Sequence, residues 1–180
     1  MTDAHLRERL DGHDCPHLAA LLQSRDDLPR VLCSFFALGA ARNGWLVQGT
    51  LPGEAEGDRR RLAEAGLDVD RLERTAQLSI VELDLTLDPE AWVDEWSVTL
   101  DARLDAGFAA VWFARFPVGA KESEVQAVLP FEEAWMERFR DRPMVTLCPY
   151  IVPALKQRQN PAQAYSFAAV HDDVLDLRTA

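Results

Sequence analysis

The sequence predicts an α/β fold built on a mostly parallel sheet, and three observations carry that prediction. Between residues 28 and 150, segments with the apolar spacing of helices alternate with short apolar runs typical of buried strands. Such alternation is the pattern of βαβ units, in which a helix returns the chain to the same end of the sheet. The chain has 180 residues, enough for one domain with little room for a second. We therefore expect a single domain over residues 1–180, with its core at about 12–177.

In the first half of the chain, apolar spacing and glycine or proline stop signals separate five elements. These are a helix over 28–43, a strand over 45–51, a charged surface helix over 54–65, a short helical turn over 67–74 and a strand over 77–83. Gly44 follows the first helix and Gly66 the second, as expected where a helix ends in the left-handed conformation that glycine adopts easily.

In the second half, Asp88-Pro89-Glu90 is a strong helix start, because Asp caps, Pro fits the first helical position and Glu favours the positive end of the helix dipole. Pro130 lacks an N–H group, so we expect it to interrupt the next helix. The predicted elements are a helix from 89 to Gly107, a central strand over 108–113, an interrupted helix over 121–140, a strand over 143–150, a helix over 162–170 and an edge strand over 173–177.

Composition restricts the classes of partner and compartment. The net charge of −11 argues against direct nucleic-acid binding, which needs a basic surface. No apolar run approaches the roughly 20 residues that span a bilayer, and the polar first ten residues are unlike a signal peptide. Three cysteines without a close pair fit reduced thiols. We expect a cytoplasmic protein without a membrane segment.

The densest group of metal-binding side-chain types is His13-Asp14-Cys15-Pro16-His17. With Cys148 or His171 it would form part of a zinc or iron site. The alternative is a structural role, with Cys15 packed as a small apolar residue and His13 hydrogen-bonded near a sheet edge. Local spacing argues against the metal site, because His-x-Cys is not a familiar zinc motif and no second thiol lies nearby in sequence.

Two residues at the end of the strand over 143–150 are candidates for chemistry. Cys148 is either a redox or nucleophilic thiol paired with His171 or His13, or a buried structural thiol. Tyr150 carries a hydroxyl that needs a partner and is suited to face a ligand.

The aromatic residues have two interpretations, and the acidic residues near them have one. The tryptophans either line a cavity for a small apolar molecule or pack in the core; they are Trp92, Trp96, Trp112 and Trp135. Glu132, Glu133 and Glu137 flank Trp135 and are interpreted as surface charges.

An ordered set of motifs resembles the MEDS domain, the methanogen/methylotroph DcmR-type sensory domain. The matching stretches are His13-Asp14-Cys15, the helix from Phe35 to Gly44, Leu62 to Asp68, Phe131 to Trp135, Leu147-Cys148-Pro149-Tyr150 and the late His171. They cover roughly residues 12 to 175. The chain departs from the family where an aromatic should follow Cys15, at Asn43-Gly44, and after Phe113, where Ala114-Arg115 replaces an acidic residue.

The MEDS domain is similar to the RecA/KaiC ATPases, so the resemblance implies a three-layer RecA-like sheet flanked by helices. The stretch where those ATPases carry a phosphate-binding loop is 22–29 here, and it contains no Gly and no Lys. The central strand ends without an acid to hold Mg²⁺. We therefore do not expect ATP hydrolysis.

The resemblance implies a non-enzymatic sensory or regulatory domain that binds a small ligand, passes its signal to a partner protein, and has no catalytic residue, metal or cofactor. The ligand is expected at the C-terminal ends of the strands, near His13, Cys15, Trp135, Cys148, Tyr150 and His171. Alternatives are a small thiol- or metal-dependent enzyme using His13, Cys15, Cys148 and His171, and a nucleotide-binding module without hydrolysis. A homodimer is compatible with the apolar helix faces.

Overall fold

The computed structural model describes residues 8, 17–84, 86–119, 122–152 and 170–178, of which 122–125 are described by their backbone alone. Its strands are β1 (His17–Leu22), β2 (Gly44–Thr50), β3 (Leu78–Glu82), β4 (Ala110–Ala114), β5 (Val118–Gly119), β6 (Met144–Ile151) and β7 (Asp173–Asp176). Its helices are α1 (Leu28–Ala41), α2 (Ala55–Glu64), α3 (Val69–Arg74), α4 (Pro89–Asp105) and α5 (Glu122–Phe139). In these ranges no helix is both long and apolar enough to cross a membrane.

The seven strands form one sheet in the order β3-β2-β4-β6-β1-β7, with the short β5 also paired to β6. Every strand pairing in the described ranges is parallel. The predicted parallel α/β sheet is therefore confirmed, and β7 is an edge strand as the sequence indicated.

Helices cover both faces of the sheet, which gives three layers. Successive strand residues point to opposite faces, and the buried residues accordingly divide into two cores. One core joins the sheet to α1, α2 and α3 through residues such as Phe35, Leu62 and Trp112. The other joins it to α4 and α5 through residues such as Trp92, Phe113 and Trp135. The polar side chains of interest lie in this second core.

β1 was not predicted, although its six residues are all buried. Its sequence, His-Leu-Ala-Ala-Leu-Leu, lacks the β-branched and aromatic residues typical of strands, and Ala and Leu favour helices in isolation. Pairing with β6 on one side and β7 on the other decides its conformation. Tertiary contacts thus override a weak local preference.

The expected interruption at Pro130 was wrong, because α5 runs unbroken from Glu122 to Phe139 with Pro130 inside it. An internal proline removes one helical hydrogen bond and costs about 3 kcal/mol. Burial of Phe131, Trp135 and Phe139 against the sheet offsets that cost. The helix predicted at 162–170 lies outside the described residues, apart from Val170.

Candidate functional site

Six polar side chains meet inside the core between the sheet and α5, and we call them the polar cluster. They are His17, Arg115, Glu132, Cys148, Tyr150 and His171, each at most 7% exposed. Burying a charged or polar group is costly unless it finds a partner. This concentration of polar groups in an apolar core is therefore the most unusual feature of the described residues.

Strand geometry brings the sheet members of the polar cluster to one face. Cys148 and Tyr150 are two residues apart in β6, so their side chains point to the same side of the sheet. His17 begins the neighbouring β1, in which Ala19 is registered with Cys148. Arg115 follows β4 directly, and its N–H donates to the Leu147 carbonyl, which continues the strand pairing.

The remaining two members come from a helix and from the chain leading into β7. Glu132 lies in α5, which covers this face of the sheet. His171 precedes Asp172, whose carboxylate accepts a 2.7 Å hydrogen bond from the His17 backbone N–H. The Asp172 N–H in turn donates to the His17 carbonyl at 2.8 Å. These two bonds fix His171 beside the start of β1.

A buried ion pair forms one half of the polar cluster. One Glu132 oxygen, Oε1, accepts hydrogen bonds from Arg115 Nη2 at 2.5 Å and from the Tyr150 hydroxyl at 2.7 Å. The other, Oε2, lies 2.9 Å from Nε2 of His171. Burial alone raises the pKa of Glu132, but the Arg115 charge and the His171 contact outweigh it and hold that pKa below its ordinary value. Glu132 is therefore a carboxylate.

His17 and Cys148 form the other half. Nε2 of His17 lies 3.2 Å from the Cys148 sulfur, and the His17 and His171 ring centroids are 4.3 Å apart. Burial, with a contribution from His171, lowers the pKa of His17 to about 3, so its imidazole is neutral. Burial and the Glu132 charge raise the pKa of Cys148 above its ordinary value. The thiol is thus protonated and a poor nucleophile.

Aromatic side chains pack around the polar cluster, and a small space lies among them. A cavity of about 20 Å³ is lined by His17, Arg115, Glu132 and Cys148 together with Trp92, Phe113, Phe131, Trp135 and Thr146. Trp135 packs on Phe113 at 4.5 Å between centroids and donates a 2.9 Å hydrogen bond to Thr146. The accessible surface of this space is apolar, so it lacks the polar partners that a buried water molecule or ion needs.

The tryptophans mostly belong to the core, one of the two interpretations from the sequence. Trp92, Trp112 and Trp135 are buried. Trp96 is half-buried and, with Trp45 and Trp92, lines a cavity of about 430 Å³ beside α4.

A separate cavity of about 270 Å³ lies where β1, β2 and β4 end and α1 begins. Several of its polar groups have partners: Thr50 donates to Asp58, and Arg61 pairs with Asp58 and Glu54. Three carboxylates, those of Asp26, Glu54 and Asp58, and two arginines, Arg25 and Arg61, line it. The carboxylates outnumber the arginines, which makes this environment less favourable for an anionic ligand.

The structure brings together four of the residues expected at a ligand site, namely Trp135, Cys148, Tyr150 and His171. His13 and Cys15 lie outside the described residues. The site lies on a face of the sheet beneath α5, and His17 stands at the start of β1, not at a strand's C-terminal end.

Sequence reasoning missed two members of the polar cluster, Arg115 and Glu132. It named His17 but did not predict its contact with Cys148. The interpretation of Glu132 as a surface charge was wrong, since it is 3% exposed. A signal was present, because Glu132 follows Val128 by four residues and precedes Trp135 by three, on the buried stripe of α5. Arg115 was noted only as a departure from an expected acid.

Comparisons with known proteins identify a family and structural relatives. A protein-family model described as MEDS, the MEthanogen/methylotroph, DcmR Sensory domain, matches residues 16–171. The solved structure of a KaiC-like protein from the hyperthermophilic archaeon Pyrococcus horikoshii superposes with a TM-score of 0.58 at 15% identity, covering 91% of this chain and 72% of that chain. No curated protein matches the sequence. The structural likeness confirms the RecA-like fold that the sequence predicted.

Proposed function

Because the chain belongs to the MEDS family of sensory domains, we propose that it is a non-catalytic sensory domain whose input is a small ligand received at the polar cluster. The signal passes from there to a partner protein. One observation supports this location for the ligand site: six buried polar side chains are concentrated beneath α5. The family supplies the sensory role, and the chemistry of the cluster supplies the site.

The energetics of the polar cluster favour a functional role over a purely structural one. Replacing a buried ion pair such as Arg115–Glu132 by packed apolar residues is often neutral or stabilising by about 1–4 kcal/mol. A fold therefore gains little from keeping this pair for stability alone. Groups buried with strongly shifted pKa values are concentrated at functional sites. Ligand recognition is the role that fits a cluster with no catalytic geometry.

The arrangement argues against a thiol-dependent enzyme. A cysteine nucleophile must react as a thiolate, whereas burial raises the pKa of Cys148. The cavity beside the thiol is about 20 Å³, so in this arrangement, without a displacement of α5, the thiol is not presented to an organic substrate. Cys148 is better suited to bind than to react.

Signal transmission follows from what the polar cluster joins. Its members come from β1, β6, the residue after β4, helix α5 and the chain before β7. A ligand that binds one arrangement of these elements better than another shifts the equilibrium between them. Since α5 also packs against α4, a displacement of α5 is the natural route to an outer surface and a partner.

Hydrogen–deuterium exchange tests this proposal for a ligand of any identity. The probe is the low-molecular-mass fraction of an extract from the cells that produce the protein, compared with buffer. We expect slower exchange in peptides from α5 and β6 for the wild type and a weaker effect for Tyr150→Phe, which removes one hydrogen bond to Glu132. The control Glu133→Gln changes an exposed neighbour in α5 and should behave like the wild type.

Equal slowing of hydrogen–deuterium exchange in Tyr150→Phe and the wild type would show that the ligand does not bind at the polar cluster. Slowing confined to the cavity at the start of α1 would favour the nucleotide-binding alternative instead.

A further inference from the structure

We propose that the polar cluster binds one divalent transition-metal ion of the zinc class through His17, Glu132, Cys148 and His171. This inference deepens the proposed sensory function. Its functional meaning rests on that proposal, whereas the metal site itself is argued from the geometry of the four side chains. It departs from the sequence analysis, which expected no metal.

The distances among the four side chains suit a single ion. One potential ligand atom from each residue lies within 4.8 Å of those of the other three. In a tetrahedral site with bonds of about 2.0–2.3 Å, ligand atoms are about 3.3–3.8 Å apart. The present pairs are 3.2 Å for His17 Nε2 to Cys148 Sγ and 2.9 Å for His171 Nε2 to Glu132 Oε2. These two pairs need to open by only about 0.5 Å, and the longest separation, 4.8 Å, needs to close by about 1 Å to admit a metal.

The space beside the four side chains leaves no room for an organic molecule. The adjoining cavity, which His17, Glu132 and Cys148 help to line, is only about 20 Å³ and its accessible surface is apolar. An ion would therefore lie between the four ligand atoms and not in this cavity.

The surrounding residues orient Glu132 as metal ligands are usually oriented. Arg115 and Tyr150 both donate to Oε1, which leaves Oε2 directed toward His171. Metal-binding carboxylates are commonly held by such outer hydrogen bonds, whose loss costs about 10–100-fold in affinity. The same partners that stabilise the carboxylate thus also fix which oxygen meets the metal.

The donor set selects the class of metal. Two imidazoles and a thiolate favour zinc and neighbouring transition metals, whereas Ca²⁺ and Mg²⁺ prefer oxygen donors. Four protein ligands fill a tetrahedral shell and leave no open position, which separates this site from catalytic zinc centres. On binding, the Cys148 thiol gives its proton to solvent and the thiolate bonds to the metal.

Charge indicates reversible binding. The thiolate and the Glu132 carboxylate match the two positive charges of the ion, and Arg115 leaves one positive charge over. That excess weakens affinity relative to zinc sites built from several thiolates. A site of intermediate affinity suits a sensor that must both take up and release its signal.

Cobalt substitution tests the site directly. Protein treated with a chelator and then dialysed is titrated with Co²⁺ and followed by absorption. We expect saturation at one Co²⁺ per chain, with a thiolate-to-cobalt charge-transfer band and the intense visible bands of tetrahedral cobalt. Cys148→Ser should abolish the charge-transfer band. Cys33→Ser is the matched control, since Cys33 is the other free cysteine described and lies away from the cluster in α1.

A second variant tests the site if Cys148→Ser fails to fold. His17→Gln keeps the thiol, so the charge-transfer band should persist. The affinity for Co²⁺ should fall by more than about 10–100-fold, the loss typical when a residue that only hydrogen-bonds to a metal ligand is removed. The proposal is overturned if the wild type shows no saturable spectrum, if folded Cys148→Ser retains the band, or if Cys15→Ser alone removes it.

Two results separate this inference from the sensory proposal. If the extract still slows exchange after its metals are removed on a chelating resin, while Co²⁺ gives no spectrum, the metal is wrong and the sensory site stands. If Co²⁺ binds as expected but exchange in α5 and β6 is unchanged by metal, the metal site stands and its sensory role fails.

Discussion

Glu132 is the only acidic member of the polar cluster, and three neighbours depend on it. Its carboxylate accepts from Arg115 and Tyr150 and lies beside His171. Removing its charge leaves the Arg115 guanidinium buried without a counter-ion. The loss of one partner from such a pair is far more costly than the loss of both.

Glu132→Gln should therefore lower the free energy of unfolding by about 3–5 kcal/mol. Glu133→Gln, at an exposed position in the same turn of α5, should change it by no more than about 0.5 kcal/mol. Urea denaturation of chelator-treated protein measures both. Similar small losses in the two variants would mean that Arg115 finds another partner and that Glu132 is not the centre of the cluster.

The site was predictable in part, for reasons visible at single residues. Cys148 and Tyr150 were found because a buried strand ending in polar side chains is conspicuous in sequence. Glu132 was missed because a helix with many acids is normally solvated, and only its phase relative to Trp135 shows that it faces inward. The meeting of Arg115 with Glu132 depends on how α5 lies across β4, which no local pattern specifies.

At the scale of elements, α1 approaches the sheet closely because glycine allows it. A Cβ built on Gly39 would lie 2.6 Å from Cγ of Trp112 and 2.7 Å from Cδ2 of Leu46. Both neighbours are buried. The packing of α1 on β2 and β4 thus depends on the absence of one methyl group.

Gly39→Ala should destabilise the protein by about 1–3 kcal/mol through overpacking, even though alanine is the better helix former. Gly57→Ala in α2 should instead stabilise it by about 1 kcal/mol, since the nearest atoms belong to the flexible Arg61 side chain at 3.3 Å. Thermal or urea unfolding gives the sign of each change. Stabilisation by Gly39→Ala would show that α1 sits further from the sheet than described.

Most elements were predictable from local signals, and the exceptions share a cause. Caps and stops such as Asp88-Pro89 and Gly66 gave bounds close to those observed, because they act within one or two turns. β1 and the uninterrupted α5 were missed because both are decided by burial against distant parts of the chain. β1 is paired on both sides, and α5 keeps Pro130 while burying Trp135.

At the scale of the whole molecule, the two faces of the sheet differ. The α1–α3 side is an apolar core, whereas the α4–α5 side encloses the polar cluster. The strand-end cavity lies at the start of α1, where phosphate-binding loops of RecA-like ATPases meet a helix N-terminus. In this chain the same fold has the polar cluster beneath α5 and a strand-end cavity lined by three carboxylates and two arginines.

The start of α1 lacks the features that bind phosphate. Ser24 and Asp27 satisfy each other's polar groups, with Ser24 also accepting from the Asp26 N–H. Pro29 removes a further N–H donor from the first turn. The carboxylates of Asp26, Glu54 and Asp58 outnumber the two arginines that line the same cavity, so the local net charge opposes a triphosphate.

We therefore expect neither saturable binding of a fluorescent ATP analogue up to about 1 mM with Mg²⁺ nor release of phosphate above the rate without protein. Asp58→Asn removes one of the three charges and separates the two physical reasons. If the Asp58→Asn variant binds the ATP analogue no better than the wild type, the missing backbone donors prevent binding. If the variant gains affinity, charge repulsion prevents binding in the wild type. Saturable binding by the wild type, displaced by unlabelled ATP, would contradict the prediction and transfer the ligand role to the strand-end cavity. Since that cavity lies beyond the C-terminal ends of β1 and β4, whereas the polar cluster includes His17 at the start of β1, the two outcomes distinguish a ligand at the strand ends from one beneath α5.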